Sequence, residues 1–262
     1  MKFIPQNDQL STYLTPLGLS DWRFYPEVGS TNDIALEWVR QGAPDWALVV
    51  ADAQTAGRGR DGRRWVTEPG HSLAFSLALR LSPAETRHCS RLAALAALGL
   101  IGALSGMGLK ATLKWPNDVL LSRRKVAGVL VEVSWQSDQV EAAVIGMGVN
   151  VSPQSVPSPG AVRYPATCVE TILGARVDRW ALLANTLRAM QDTRAILGED
   201  AFIDAWNDHL AMRGELVGFQ MRNEEPRLVR VIGVNSDGQL AMETQDGRQI
   251  DAPAGEILWE KA

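Results

Sequence analysis

KVAGVLVEVSW (residues 125–135) and QVEAAVIGMGVNV (139–151) are two apolar, β-branched runs separated by Gln136, Ser137 and Asp138. Branched side chains fit a pleated surface, so both runs read as strands, and the short polar break makes the pair a hairpin. The segments upstream read as more of the same sheet. WRFYPEV (22–28) and ALVVADAQ (47–54) are strands, and SLAFSLALR (72–80) sets Phe75, Leu77 and Leu79 against Ala74, Ser76 and Ala78 with the two-residue period of a strand. A further strand runs through ATLKW (111–115) and ends in a turn at Pro116-Asn117-Asp118.

Helical segments alternate with these strands. GSTNDIALEWVRQG (29–42) opens on Ser30 or Thr31 as a cap, carries Asp33 in its first turn, and lines up Ile34, Ala35, Trp38 and Val39 before Gly42 stops it. LAALAALGLIGALSGMGL (92–109) is uncharged throughout, which approaches the length of a membrane span, and it contains a GxxxG at Gly102 and Gly106. It is rich in weakly hydrophobic Ala and Gly and sits between Arg91 and Lys110, so it reads as a helix buried inside a globular domain, with no membrane partner. SPQSVPSPG (152–160) is an irregular loop. CVETILG (168–174), RWALLANTLRAMQDTRAIL (179–197) and DAFIDAWNDHL (200–210) are helical. From Gly214 the texture becomes short alternating runs around a Ser-Asp-Gly turn at 236–238, which predicts a small β-barrel. Two domains are expected, 1–211 and 212–262.

Bulk properties narrow the function. Apolar residues make up 46% and charged residues 21%, values of an ordinary globular protein. A net charge of −4 lacks the basic field of a nucleic-acid binder. Cys89 and Cys168 are too few for a disulfide framework or a zinc site, which favours a reducing, cytoplasmic setting. MKFIPQNDQL has no apolar core of a secretory signal.

Against that acidic background, AGRGRDGRRW (56–65) concentrates four arginines and three glycines. Glycine backbone approaches a ligand closely, and guanidinium groups fork onto phosphate or carboxylate oxygens. Ordering so flexible a loop costs entropy that ligand binding can offset, so the loop reads either as a lid over a small anion or as a solvated turn. It is no P-loop, because GxxxxGK[ST] is absent. In KWPNDVLLSRRKVAGVLVE (114–132), Lys114 and Lys125 flank a turn bearing Asn117 and Asp118. Lys125 stands at the mouth of an apolar strand, where a lysine needs a negative partner, and an anionic ligand would be one. Ser30-Thr31-Asn32 suits a helix cap and also a polar or anionic ligand. Asn150 closes a strand among glycines, as a turn asparagine or a ligand contact. His71, His88 and His209 show no nucleophile partner, so no catalytic triad is expected.

In order, STN (30–32), QTAGRGRDGRRW (54–65), KWPND (114–118), KVAGVLVE (125–132), GMGVNV (146–151) and PATCVE (165–170) resemble the biotin protein ligase family. The resemblance spans roughly residues 25 to 170 and implies an α+β fold: a mixed, mostly antiparallel sheet packed with helices, followed by a small SH3-like β-barrel. It implies that biotin attacks the α-phosphorus of MgATP to give biotinyl-5′-AMP, and that a lysine on the carrier domain of a biotin-dependent carboxylase then takes the biotin. Biotin-binding positions implied are Ser30, Thr31, Asn32, Gln54, Arg58, Gly59, Arg60 and Lys125. Nucleotide-side positions are Arg58, Arg63, Trp65, Lys114, Asn117 and Asn150, with Trp65 able to stack on adenine. Arg58, Lys114 and Lys125 are expected to place charge at the phosphorus, and Asp118 to meet magnesium or accept a proton from the incoming lysine. Metal ligands are otherwise open. Asp61 inserts an acid into the basic loop. Some relatives carry an N-terminal winged helix and repress biotin synthesis; only 29 residues precede Ser30, so DNA binding is not expected, while a homodimer is left open. The rival readings are a lipoate or octanoate ligase, whose RRxSGGG-type loop is absent, and a ligand-sensing regulator, which would need a basic face.

Overall fold

The computed structural model describes residues 8–258 apart from Ser20, 137–138, 159–161, Arg163 and Asn223. The first seven residues, part of the stretch that lacks a secretory signal, and Trp259, the end of the last alternating run, lie outside them. In chain order the elements are α1 (Asp8–Leu14), β1 (Trp22–Val28), α2 (Thr31–Arg40), β2 (Ala47–Gln54), β3 (Ser72–Arg80), α3 (Pro83–Thr86), α4 (Leu92–Ser105), β4 (Ala111–Lys114), β5 (Asp118–Leu121), β6 (Arg124–Gln136) and β7 (Gln139–Asn150). Then come α5 (Val169–Leu173), α6 (Arg179–Ala195), α7 (Asp200–Asp208), β8 (Leu216–Gln220), β9 (Arg227–Val234), β10 (Leu240–Thr244), β11 (Gln249–Ala252) and β12 (Glu256–Leu258).

The hairpin β6–β7 lies inside a seven-stranded sheet of order β1-β2-β3-β7-β6-β5-β4. β1 and β2 are parallel and the other neighbours antiparallel, so the sheet is mixed and mostly antiparallel. β3 shows why it holds together. Its Leu73, Phe75, Leu77 and Leu79 join the main core with α4 and α6, while Ala78 faces the cluster under α2. The small side of the alternation lets α2 approach; the large side fills the other layer.

α4 is buried almost all round, as the uncharged run predicts. Its glycines accept α6: a Cβ on Gly99 would overlap Met190, and one on Gly102 would press Ala189 at 3.2 Å. Full burial of Leu95, Leu100 and Leu104 contributes about 2 kcal/mol each. The helix ends at Ser105, four residues before the end of the uncharged run, and Gly108 turns the chain at φ 78°. Among the described residues no helix is long and apolar enough to cross a membrane.

Three elements were not foreseen, the single-turn α3 after β3 among them. α1 packs against α6, and residues 118–121 form a strand of their own, so the Pro116-Asn117 turn is the tip of a β4–β5 hairpin.

The chain leaves this first unit along the sheet edge, where Ala211 N–H donates to Leu113 O at 2.9 Å, and then turns through Met212 and Gly214, both with positive φ. Beyond lies a five-stranded antiparallel sheet of order β11-β10-β9-β8-β12. Its β9–β10 turn is gripped by the first unit through backbone carbonyls. Arg91 donates to Ser236 O at 2.7 Å, Ser90 to Asp237 O at 2.8 Å and Trp115 Nε1 to Gly238 O at 3.1 Å.

Candidate active site

The open face of β6–β7 carries glycine at three adjacent positions. Gly128 pairs with Gly148, and Gly146 lies two residues before Gly148 on the same face. With no side chains there, the strands make the flat floor of a cleft of about 580 Å³. Cleft residues use the room: the Trp65 indole lies on Gly148 and the Asn32 amide on Gly146, so closely that a Cβ on either glycine would drive into its partner. Ser30, Thr31, Asn32, Gln54, Arg58, Gly59, Arg60, Arg63, Trp65, Lys114, Asn117, Asp118, Lys125 and Asn150 all line this one cleft.

At one end sits the N-terminus of α2. Ser30 occupies the cap position with extended backbone, yet its side chain makes no capping bond, contrary to the expectation for a serine there. Thr31 instead donates from its N–H and its hydroxyl to Gln54 Oε1, at 2.9 and 3.1 Å. Gln54 Nε2 donates onward to Thr67 at 3.2 Å. Ser76, fully buried on β3, lies 2.7 Å from Thr31 Oγ1 and 2.5 Å from Asn32 Oδ1. Asn32 Nδ2 donates to Glu132 at 2.6 Å. These are buried polar groups, and the network satisfies them.

The arginine–glycine loop is a short hairpin in its own right. Gly59 N–H donates to Arg63 O at 2.7 Å and Trp65 N–H to Gly57 O at 2.9 Å, while Asp61 takes a positive φ of 56° at the tip. Two of its four arginines meet carboxylates. Arg58 forks onto Asp33 at 2.7 and 2.8 Å and touches Glu132 at 3.2 Å; the Asp33 bonds raise its pKa further. Arg63 forks onto Glu256 of the small domain at 2.9 and 3.0 Å and meets Asp61 at 3.4 Å. Burial works against the Arg63 charge, but Glu256 outweighs it and the pKa rises; by the same pairing Glu256 is lowered. Arg60 donates to Asn117 Oδ1 at 3.3 Å.

At the other end stand two lysines. Lys125 Nζ meets Asp118 at 2.6 Å, so the negative partner that its place at the strand mouth requires is supplied by the neighbouring strand. Lys114 is 3% exposed, and its ammonium lies 3.7 Å from the centre of the Tyr164 ring. Burial pulls its pKa down to about 8, against the pull of Asp118 and Glu256. Asn117 Nδ2 donates to Val129 O at 2.6 Å and Asn150 Nδ2 to Thr167 O at 3.0 Å, so both amides brace the walls of the cleft. The Trp65 Nε1 donor is buried in the cleft and has no partner among the described residues.

Sequence reasoning passed over Ser76, Glu132, Tyr164 and Glu256. The visible signals were Ser76, a hydroxyl between apolar neighbours in the middle of β3, and Glu132, an acid inside an apolar run; Glu256 lies 193 residues from Arg63 and offers none. His71 does meet a hydroxyl, Ser152 Oγ at 2.7 Å, but neither residue lines the cleft. Among the described residues no cluster of three or more His, Cys, Asp or Glu could cage a metal ion.

Residues 25–150 match the model of the biotin/lipoate A/B protein ligase family. The chain is 35% identical over 241 residues to a biotin–[acetyl-CoA-carboxylase] ligase of Paracoccus denitrificans, covering 88% of this chain and 97% of that one. It is 30% identical over 227 residues to a bifunctional ligase/repressor of Bacillus spizizenii, covering 84% and 68%. Its fold is similar to that of an Aquifex aeolicus biotin protein ligase solved in complex with biotin and ATP, with TM-score 0.76, 27% identity, and coverage of 91% and 97%.

Proposed function

The chain belongs to the biotin protein ligase family, and from that premise we propose how its cleft divides the labour of an ATP-dependent biotin ligase. In this enzyme class the biotin carboxylate attacks the α-phosphorus of MgATP, pyrophosphate leaves, and a carrier lysine then takes biotin from the adenylate with release of AMP. The convergence of a neutral polar end, a glycine floor and a cationic end on one cleft carries the proposal.

The ureido and thiophane rings of biotin sit at the Thr31–Asn32–Gln54 end, where neutral hydrogen-bonding groups are already fixed and the nearby charges of Arg58, Asp33 and Glu132 are held by one another. The valerate chain runs past the Trp65 indole and the Asn32 amide, which the glycine floor lets lie flat on the sheet. Its carboxylate and the α-phosphate meet at Lys125 and Arg60, and Lys114 and Arg63 face the nucleotide side. Two anions repel, so preorganised positive charge at the reacting atoms is the main lever. Arg58 is assigned differently from the expectation: its fork is spent on Asp33 and Glu132, and it holds the loop rather than the phosphate. The indole of Trp65 lies against the floor with its N–H buried there, and its outer face forms a wall for the ligand.

Magnesium enters as part of MgATP, where it neutralises phosphate charge; Asp118, a cleft carboxylate held beside Lys125, would be the residue to meet it. The partner is a biotin carboxyl carrier domain of a carboxylase. A net charge of −4 supports a ligase without operator binding. Two cysteines, neither in a disulfide, support a cytoplasmic location. Any pairing of two copies through this sheet would use the β1 edge, because Leu210 covers the β4 edge.

The test is pyrophosphate exchange with biotin, lipoate and octanoate in parallel, on wild type, Lys125→Ala and Lys114→Ala. Exchange with biotin alone, lost in both variants, is expected. Exchange with lipoate or octanoate instead would move the chain to the sister activity.

A further inference from the structure

Glu132 stands outside the cleft lining, yet its carboxylate joins two parts of the site. One oxygen accepts from Asn32 Nδ2 at 2.6 Å, and both lie within 3.3 Å of Arg58 Nη2. Asn32 belongs to the polar end and is 4% exposed; Arg58 belongs to the loop. Asp33, the neighbour of Asn32 in the first turn of α2, completes the grip by taking both terminal nitrogens of Arg58. A guanidinium between two carboxylates is held in direction as well as place, because the fork geometry fixes the plane. The loop's own hydrogen bonds, Gly59 to Arg63 and Trp65 to Gly57, fix its two strands to each other but not to the sheet. At this end of the site the loop is rooted by Ala56 N–H, which donates to Gly29 O at 2.8 Å, and beyond that root Arg58 ties it to the sheet through Glu132.

We propose that Glu132, seconded by Asp33, is a positioning residue that couples the arginine–glycine loop to the biotin-ring end of the cleft. It sets the Asn32 amide and keeps the loop seated over the adenylate. Glu132 touches no reacting atom in this scheme. It acts through Asn32 on biotin affinity and through Arg58 on adenylate retention, so the proposal rests on the site assignment above. The two carboxylates act separably: Glu132 governs both effects, Asp33 only the loop.

The experiment compares wild type with Glu132→Ala, Glu132→Gln and Asp33→Asn on the full chain. The readouts are amide hydrogen exchange across 56–66, the KM and kcat for biotin in pyrophosphate exchange, and the release rate of preformed biotinyl-5′-AMP. Glu132→Ala is expected to speed loop exchange and adenylate release about tenfold and to raise the biotin KM about tenfold, with kcat within about threefold. Glu132→Gln keeps an acceptor for Asn32 and is expected to spare KM while loosening the loop. Asp33→Asn is expected to do the same. Loop exchange unchanged in Glu132→Ala and Asp33→Asn would overturn the coupling, as would a fall in kcat and thermal midpoint together with KM constant. If the loop loosens as expected but wild type shows no exchange with biotin, the coupling stands and the site assignment falls.

Discussion

Lys125 and Asp118 stand 2.6 Å apart on neighbouring strands, so the lysine that faces the cleft is seated by a carboxylate that faces it too. Asp118 is 10% exposed at its side chain and Lys125 26%, which makes the pair more than a surface ion pair and less than a fully buried one. Asp118→Ala is expected to destabilise the protein by about 2 kcal/mol, between the two regimes. Urea unfolding measures this; a change below about 0.5 kcal/mol would mean the pair is solvated like an exposed one.

Lys114 gives the site a pH dependence. Its folded pKa is about 8 against an ordinary 10.5. The folded protein therefore holds this proton less well than the unfolded chain, and stability rises as pH climbs from about 8 to above 10.5. Lys114→Met is expected to flatten that rise in unfolding experiments. In activity the sign is opposite, because phosphate needs the charged form. The kcat/KM for ATP is expected to fall above pH of about 8 in wild type and to hold in Lys114→Arg, if that variant is accommodated.

Glu85 is an acid-side counterpart far from the cleft. Burial would raise its pKa, but Arg194 Nε at 2.6 Å and the Ser82 N–H at 2.8 Å overcome that and lower it from 4.5 to about 2. Its contribution is complete above 4.5 and is lost as pH falls from there towards 2. Allowing for partial solvent screening, Glu85→Gln is expected to cost about 2 kcal/mol at neutral pH and to lose most of that penalty by pH of about 2. A penalty that does not shrink on acidification would assign the loss to packing instead.

The glycine floor predicts a variant whose damage is local. Gly148→Ala puts a methyl group where the Trp65 indole now rests, and Gly148 lies on β7 with an ordinary strand backbone. The indole has to move into the cleft. Biotin kcat/KM is expected to drop about a hundredfold while the thermal midpoint shifts by only a few degrees. Equal activity in this variant would mean that the ligand does not use the space above Gly148.

How much of this was readable beforehand depends on the range of the interaction. The strands, α2, α4 and the change of texture near Gly214 follow from local periodicity, and periodicity is a local signal. β5 was missed, with only its first residue, Asp118, placed in a turn, because four residues, Asp118–Leu121, are too few to show a period. The motif residues fall around one cleft, and no local rule required that; it follows from strand order. What the sequence could not disclose is who holds whom. Arg58 and Arg63 read as open cations, whereas the fold brings Asp33, Glu132 and Glu256 to them from 25, 74 and 193 residues away. Ser30 looked like a cap, and tertiary demand gave the helix start to Gln54 instead.

The small domain is recognised by its main chain. Arg91, Ser90 and Trp115 take hold of the carbonyls of Ser236, Asp237 and Gly238, atoms that every amino acid possesses. This grip reads the shape of a turn, while side chains hold the rest of the joint: Arg63 forks onto Glu256, Arg123 onto Glu215, and Trp115 packs near Phe219. Of those three positions only Gly238 is tied to its residue type, through a φ of 76° and the closeness of Ser90 and Trp206. Such a grip leaves residues 236 and 237 free to vary, whereas any replacement for the C-terminal sheet would also have to supply a carboxylate where Glu256 stands and a ring where Phe219 meets Trp115.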